Sequence, residues 1–343
     1  MYCLFILMKK IYERKYKVMS LPNNYETIFT KQIGIQYPII CGAMYPCSNP
    51  ELVAAVSESG GIGIIQPLSM VFVHKHEFRD GLKLIKNLTN KPIGMNIITE
   101  KSSSIYENRM RKWLDIALEE GVRFFVTSLG NPKWIVDKVT PLGGIVYHDV
   151  TNKKWADKAI SSGVHGLICV NNRAGGHAGE LDSEKIIKDL EVFKVPIICA
   201  GGIGDKHHFI EALKMGYAGV QMGTRFIATQ ECNAHQDYKN AIIKATSNDI
   251  VLTEKISGVP VSVIKTEYIE RIGTKANLIT RYMLKHKKFK HWVRTYYTLQ
   301  SVWKLKRASL EGAGYKDYWQ AGKSVDGCNS ILSSKEVIQS LID

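Results

Sequence analysis

The sequence predicts a TIM (β/α)8 barrel followed by a mostly helical C-terminal segment. Between residues 37 and 224 the chain alternates between short apolar, β-rich runs and amphipathic, helix-like segments, and eight β-rich runs can be counted. These runs are continuously hydrophobic, which is typical of parallel strands that are buried on both faces. Eight such strand–helix units favour a closed barrel over the alternative, a doubly wound open sheet.

The elements follow one another in a regular order. The predicted strands are residues 38–41, 62–65, 93–98, 124–127, 144–147, 164–170, 195–200 and 219–222. The predicted helices are residues 50–59, 78–87, 105–120, 132–138, 153–162, 183–193 and 206–215, with a further helix from Thr224 onward. Capping residues precede several of these helices, for example Asp182 before the helix at 183. Beyond them, residues 234–246 are predicted to be helical and residues 251–264 to be extended.

Three parts are expected along the chain. Residues 1–18 form an N-terminal extension outside the fold, residues 19–231 form the barrel, and residues 232–343 form a mostly helical segment that packs near the barrel mouth. The first eight residues are apolar, but the run is too short to span a membrane, and its cationic cluster follows it, which is the reverse of a signal peptide. Met19 offers an alternative start.

The positive charge is concentrated in two stretches. The net charge is +14, but residues 281–307 hold nine Lys and Arg without an acid, and residues 1–18 hold five against Glu13. The remainder is nearly neutral, which argues against a basic groove for nucleic acid. Residues 281–307 also interleave aromatic rings with cations, a pattern that suits single-stranded nucleic acid or an anionic membrane. Their aromatic spacing is typical of a helix packing on a core, so neither partner is expected.

The cysteines indicate a reducing compartment. There are seven, scattered along the chain without a CxxC pair or zinc-type spacing. We therefore expect a cytoplasmic protein without a metal site. The sequence leaves the oligomeric state open, with a homodimer as one option.

Glycine-rich turns follow the seventh and eighth predicted strands. Gly201 and Gly202 come after strand seven, and Gly223 and Thr224 after strand eight. In a barrel these two loops, each leading into a helix, are where backbone N–H groups bind a phosphate. The sequence therefore predicts a phosphate site between them.

The stretch VNNRAGGHAGE, residues 170–180, directly follows strand six. Gly175 and Gly176 allow close approach of the backbone to a ligand, and His177 can move a proton near neutral pH. His177 is thus either a catalytic residue or a turn histidine hydrogen-bonded to backbone. His148, after strand five, is a further candidate for contact with substrate.

A phosphate held at strands seven and eight would direct the rest of a cofactor across the mouth towards strands one to three. There Ala43 and Met44 offer backbone groups, and Asn96 can both donate and accept hydrogen bonds. This arrangement suits an isoalloxazine ring. Alternatively, Asn96 is a turn residue that ends its strand.

On these motifs the chain resembles the nitronate monooxygenases, formerly called 2-nitropropane dioxygenases, and the related FMN-dependent enoyl-ACP reductases of the FabK type. The motifs are ELVAAVSESGGIGII, GMNI, AGGHAG, AGGIGD and GVQMGTRF, and a weaker match, YWQAG, lies at residues 318–322. The resemblance implies an FMN-binding TIM barrel with His177 as the catalytic histidine. It places FMN contacts at Asn96, Gly175, Gly202, Gln221, Met222, Gly223 and Thr224.

The function implied is oxidation of alkyl nitronates or nitroalkanes by O₂ to a carbonyl compound and nitrite. The alternative is an NAD(P)H-dependent reductase of enoyl thioesters. Where many members carry Gly and Glu before the histidine loop, this chain has Asn171 and Arg173. The guanidinium would either hold an anionic substrate or pair with Asp149 or Glu180.

Overall fold

Eight parallel strands close into a barrel in which each strand pairs with its neighbours in sequence and β1 pairs with β8. The computed structural model describes residues 25–99, 104–256, 259–275, 305–311 and 318–343. The strands are β1 (Ile39–Cys41), β2 (Ile62–Ile65), β3 (Gly94–Ile98), β4 (Phe124–Ser128), β5 (Ile145–Val150), β6 (Gly166–Val170), β7 (Ile197–Ala200) and β8 (Gly219–Met222). The predicted TIM barrel is confirmed, and the open sheet is excluded.

Helices cover the outside of the barrel and continue into the C-terminal segment. They are α1 (Ile28–Ile33), α2 (Pro50–Glu58), α3 (Phe78–Leu88), α4 (Ser104–Glu119), α5 (Lys133–Val139), α6 (Lys153–Ser161), α7 (Ser183–Leu190), α8 (Lys206–Lys214), α9 (Thr224–Ile227), α10 (Gln236–Lys244), α11 (Glu267–Ile272) and α12 (Ser334–Ile342). Short turns of other helix types occur at Ser69–Val73, Thr140–Leu142, Glu191–Phe193, Ser247–Asp249 and Lys323–Gly327. Within the described ranges, no helix combines the length and the apolar composition needed to cross a membrane.

Helix α1 closes the N-terminal end of the barrel. Its Phe29 ring packs 5.8 Å from the ring of Phe124 and 5.6 Å from that of Tyr147. The Tyr147 hydroxyl donates a hydrogen bond of 2.7 Å to Oε1 of Gln32. Apolar side chains fill the interior above this floor, among them Ile40, Ile62, Ile64, Val126, Ile168 and Ile198. Functional groups are therefore confined to the opposite rim, where the strands end.

Side-chain alternation decides which residues of β5 face the interior. Tyr147 packs inside the barrel, so His148 faces the helix layer and Asp149 faces the interior again. Thr127 of β4 shares the outer face, and its Oγ1 lies 2.8 Å from Nδ1 of His148. The strand extends to Val150, beyond its predicted end at residue 147, because it pairs with β6 as far as Cys169.

The C-terminal segment packs on the barrel. Strands β9 (Ile250–Thr253) and β10 (Val261–Ile264) form an antiparallel hairpin within the stretch predicted to be extended. Helix α12 packs against α2 and α8, and the Tyr25 hydroxyl donates to the carbonyl of Ile342 at 2.8 Å. The domain boundaries given above remain a prediction. Residues 1–18 and nearly all of the basic segment 281–307 lie outside the described residues.

Candidate active site

His177 lies on the loop that follows β6, at the open rim of the barrel. Its imidazole is exposed to solvent at the mouth, yet protein surrounds it closely enough that desolvation lowers its pKa below the ordinary value. Among the described residues no hydrogen bond or ion pair holds the ring. Such a histidine is neutral at physiological pH and available to a ligand, unlike a turn histidine that is hydrogen-bonded to backbone.

Asn171 joins the histidine loop to the glycine turn after β7. It is fully buried, and its Oδ1 accepts a hydrogen bond of 2.8 Å from the backbone N–H of Arg173. Its Nδ2 donates to the carbonyl of Gly201 at 2.9 Å. A Cβ on Gly201 would lie 2.3 Å from Oδ1 of Asn171, so that position has no room for a side chain. One amide thus sets the position of both loops.

Residues 318–323 close over the histidine loop from the other side. A Cβ on Gly322 would lie 2.6 Å from both the carbonyl oxygen of Arg173 and the N atom of Gly175. The backbone N–H of Gly322 donates to Oγ1 of Thr224 at 3.0 Å. Gly176 pairs with Ser262 of β10 through two backbone hydrogen bonds, of 2.7 and 3.3 Å. The C-terminal segment therefore ties the histidine loop to the turn after β8.

The two glycine turns differ in what their glycines do. Gly201 and Gly202 have φ of 121° and 81°, conformations that side chains rarely adopt, so the backbone itself requires glycine. Gly223 has a φ of −112°, and a Cβ there would meet only Met44, at ordinary contact distances of 3.5 and 3.7 Å. No described protein atom requires a glycine at 223. Space beside a backbone N–H at this rim fits a phosphate.

Gln221 points into the barrel from β8. Its side chain lies over Gly42, where a Cβ would be 3.1 Å from the Gln221 Cγ. Its Oε1 is buried and has no hydrogen-bond partner among the described residues. A buried acceptor of this kind carries a desolvation cost until a donor meets it. The flavin that the sequence implies has ring N–H and hydroxyl donors, so this orphaned amide fits such a group.

The remaining predicted cofactor residues lie on the same rim in two different ways. Ala43 and Met44 follow β1, and the Met44 N–H donates to the hydroxyl of Ser48 at 2.8 Å. The Asn96 side chain faces the interior, and its Nδ2 donates to the carbonyl of Val126 at 3.2 Å. Asn96 therefore lies within β3 and is not a turn residue. Met222 packs its side chain into the layer between strands and helices, so only its backbone faces the rim.

The structure brings Asp149, rather than His148, to the mouth. His148 is buried on the outer face, and burial lowers its pKa to about 4. Asp149 faces the interior at the end of β5, and its Oδ1 is buried without a hydrogen-bond partner. Burial raises the pKa of Asp149 to about 7. The polar pair at residues 148–149 marked the position, but only the strand register shows which of the two faces in.

Arg173 forms neither of the two ion pairs considered for it. No salt bridge joins its guanidinium to Asp149 or Glu180 among the described residues. Instead its side chain lies along Gly202, where a Cβ would be 2.5 Å from the Arg173 Nε. The sequence did not predict this placement of Arg173 or the role of Asn171 in joining two loops. It also did not predict the clamp, as we call the contacts that residues 318–323 make with the histidine loop.

Comparisons with known proteins agree with this arrangement. A family model described as nitronate monooxygenase matches residues 26–343. A probable nitronate monooxygenase from Staphylococcus aureus (strain Newman) is 29% identical, and the match covers 71% of this chain and 79% of that protein. A (3aS,4S,5R,7aS)-5-hydroxy-7a-methyl-1-oxo-octahydro-1H-indene-4-carboxyl-CoA dehydrogenase from Rhodococcus jostii (strain RHA1) is 28% identical over 253 residues, which cover 74% of this chain and 69% of that protein.

Among solved structures, FabK from Thermotoga maritima is similar over 92% of this chain and 95% of its own, with a TM-score of 0.77 and 28% identity. A nitroalkane oxidase from Streptomyces ansochromogenes shares the fold at 19% identity, with a TM-score of 0.70.

Proposed function

This chain belongs to the nitronate monooxygenase family, whose members are oxidoreductases, and from that premise we propose that it is an FMN-dependent enzyme that oxidises alkyl nitronates. The proposed products, formed with O₂, are a carbonyl compound and nitrite. The observation that carries the proposal is that two polar groups at one rim, the His177 imidazole and the buried Oε1 of Gln221, lack a hydrogen-bond partner among the described residues. Both lie at the end of the barrel that holds the glycine turns.

The residues of the proposed site fall into two groups, those that would bind the cofactor and those that would transfer a proton. Gly201, Gly202, Gly223 and Thr224 would bind the phosphate through their backbone N–H groups, with Gln221, Asn96 and the backbone at Ala43 and Met44 along the ring. FMN held by these residues would supply the redox chemistry between the nitronate and O₂. The clamp at residues 318–323 holds the histidine loop against these cofactor-binding residues.

His177 provides the base for neutral nitroalkanes. Desolvation lowers its pKa, so the ring is unprotonated at neutral pH and can accept the α-proton of the substrate. A nitronate has already lost this proton, and there the same ring would only orient the oxygens of the substrate. The histidine is therefore expected to matter more for the neutral substrate than for its anion.

A second candidate function, reduction of an enoyl thioester by NAD(P)H, is favoured by one specific feature. That reaction needs an acid to protonate the α-carbon after hydride transfer, and Asp149, with a pKa of about 7, keeps a proton near neutral pH at the interior end of β5. The similarity to FabK over 92% of the chain and to a carboxyl-CoA dehydrogenase supports the same substrate class.

Anaerobic mixing separates the two functions. The purified protein is expected to be yellow, and propionate 3-nitronate is expected to bleach the flavin absorbance, whereas NADH and NADPH leave it unchanged. Bleaching by a nucleotide alone would replace the proposal with the reductase. A colourless protein that cannot be reconstituted with FMN would overturn both functions.

A further inference from the structure

Arg173 is held by its backbone on both sides, so the direction of its side chain is well determined. Its N–H donates to Oδ1 of Asn171 at 2.8 Å, and its carbonyl accepts from the N–H of Lys323 at 2.9 Å. The side chain then runs across the face of Gly202, where a Cβ would lie 3.0, 2.9 and 2.5 Å from the Cβ, Cδ and Nε atoms of Arg173. Any other residue at 202 would displace the arginine.

The guanidinium has no anionic partner in the described protein. Asp149 and Glu180 form no ion pair with it, and the half-buried side chain makes no hydrogen bond to another described residue. Asp205, the acid nearest in sequence on the glycine turn, already caps α8 by accepting from the N–H of His208 at 2.9 Å. A partly buried cation without a partner favours the binding of an external anion.

We propose that the Arg173 guanidinium binds the phosphate of FMN and forms, with the glycine turn after β7, one wall of the phosphate site. The inference rests on the FMN assignment of the proposed function and deepens it. A phosphate carries about −1.5 to −2 charges at pH 7, and the planar fork of arginine can donate two parallel hydrogen bonds to its oxygens. The glycine N–H groups supply directional donors, and Arg173 supplies a full charge.

This placement distinguishes the phosphate from an anionic substrate. Substrate must meet the flavin ring near His177. The Arg173 side chain instead turns away from the histidine loop towards Gly202, in the turn after β7. Gly202, with a φ of 81°, lies in the turn after β7, one of the two turns at which TIM barrels commonly bind a phosphate. A cation directed there is expected to affect cofactor retention before it affects substrate affinity.

The test compares FMN with riboflavin, which lacks only the phosphate. Dissociation constants for both flavins would be measured by fluorescence quenching on flavin-depleted protein for the wild type, Arg173→Gln, Arg173→Lys and Lys214→Gln. Lys214 is exposed at the far end of α8, so Lys214→Gln is the control for a change in net charge alone.

We expect Arg173→Gln to weaken FMN binding about 10- to 100-fold, the range of one charge-assisted contact, and to leave riboflavin binding unchanged. Arg173→Lys should fall between, and Lys214→Gln should match the wild type. FMN binding to the wild type should also weaken as salt rises from about 50 to 500 mM, and this dependence should be smaller in Arg173→Gln.

Three results would overturn the inference. Equal losses for FMN and riboflavin would make Arg173 a structural residue. Unchanged FMN affinity with a raised KM for nitronate would assign the guanidinium to the substrate. If Arg173→Gln fails to fold, a salt-independent FMN affinity in the wild type, together with wild-type affinity in Arg173→Lys, would refute it. Absence of nitronate turnover in a protein that still discriminates FMN from riboflavin through Arg173 would refute the proposed reaction alone.

Discussion

Replacing Asp149 by asparagine should change how the stability of the protein depends on pH. Burial raises the pKa of the Asp149 carboxyl from 3.8 to about 7, and its Oδ1 has no hydrogen-bond donor among the described residues. The folded protein therefore holds a proton on Asp149 between about pH 4 and pH 7, while the unfolded chain releases it. Asparagine keeps the shape of the side chain and removes this titration.

The sign and size of the effect follow from linkage. Because the native state binds the extra proton, the free energy of unfolding of the wild type falls as pH rises through this window, by about 1.4 kcal/mol per pH unit. The difference between a pKa of 3.8 in the unfolded chain and about 7 in the folded protein corresponds to about 4 kcal/mol, and partial access of water to the residue reduces this to about 2–4 kcal/mol. The loss is complete above about pH 7 and absent below about pH 4.

The assay is urea unfolding of flavin-depleted wild type and Asp149→Asn at several pH values between about 4 and 8, so that ligand binding does not enter the free energy. The stability of the variant relative to the wild type should rise between about pH 4 and pH 7 and then level off. Asp137→Asn, which removes a carboxylate from the exposed face of α5, is the matched control and should show no such rise. A difference between Asp149→Asn and wild type that stays constant with pH would refute the placement of Asp149 in the interior.

Three further predictions concern the cofactor and the histidine. Gly223→Ala should leave the melting temperature unchanged but weaken FMN binding at least about 10-fold, because the added Cβ meets no described protein atom closer than 3.5 Å and would occupy the proposed phosphate site. Full FMN retention in Gly223→Ala would place the phosphate elsewhere. Gly322→Ala should instead lower the free energy of unfolding by about 1–3 kcal/mol, because its Cβ would clash with the Arg173 carbonyl. His177→Asn should keep FMN but lose about 10²- to 10⁴-fold in kcat/KM with neutral nitroalkanes and less with nitronates. Equal losses on both substrates would make His177 a binding residue. His148→Asn is the control variant, and the folded, flavin-loaded protein should retain turnover. Flavin released by heat should co-migrate with FMN, and recovery of FAD would contradict the single-phosphate site.

The parts of the site that sequence predicted are those in which local pattern carries the information. The glycines at 201, 202 and 223 directly follow apolar runs and so mark turns, and His177 lies among small residues just after a predicted strand. Their meeting at one rim follows from the parallel barrel, in which all strands end on the same side. The common position of these loops therefore follows from the fold alone and does not depend on the contacts within each loop.

Other parts depended on pairs of residues that are distant in sequence. Gly322 is recognisable only as part of a weak motif, yet its close approach to the Arg173 carbonyl and to Gly175 N determines the packing of the histidine loop. The buried Asn171 amide likewise acquires its role from Gly201, on the next strand. No local pattern encodes such contacts, because they form only when separate loops are brought together.

The fold could be predicted from the order of the residues, because eight continuously apolar runs separated by amphipathic helices bury their surfaces well in a closed parallel barrel. The same pattern predicted that the glycine turns and His177 lie on one rim. The end of β5, in contrast, depends on pairing between strands. His148 and Asp149 look like loop residues because both are polar, but pairing with Leu167 and Ile168 continues the strand through them. Since successive side chains of a strand face opposite sides, that pairing turns the histidine outward and leaves a protonatable carboxyl at the mouth. The direction of Arg173 was decided in the same way, by the space that Gly202 leaves on the neighbouring loop.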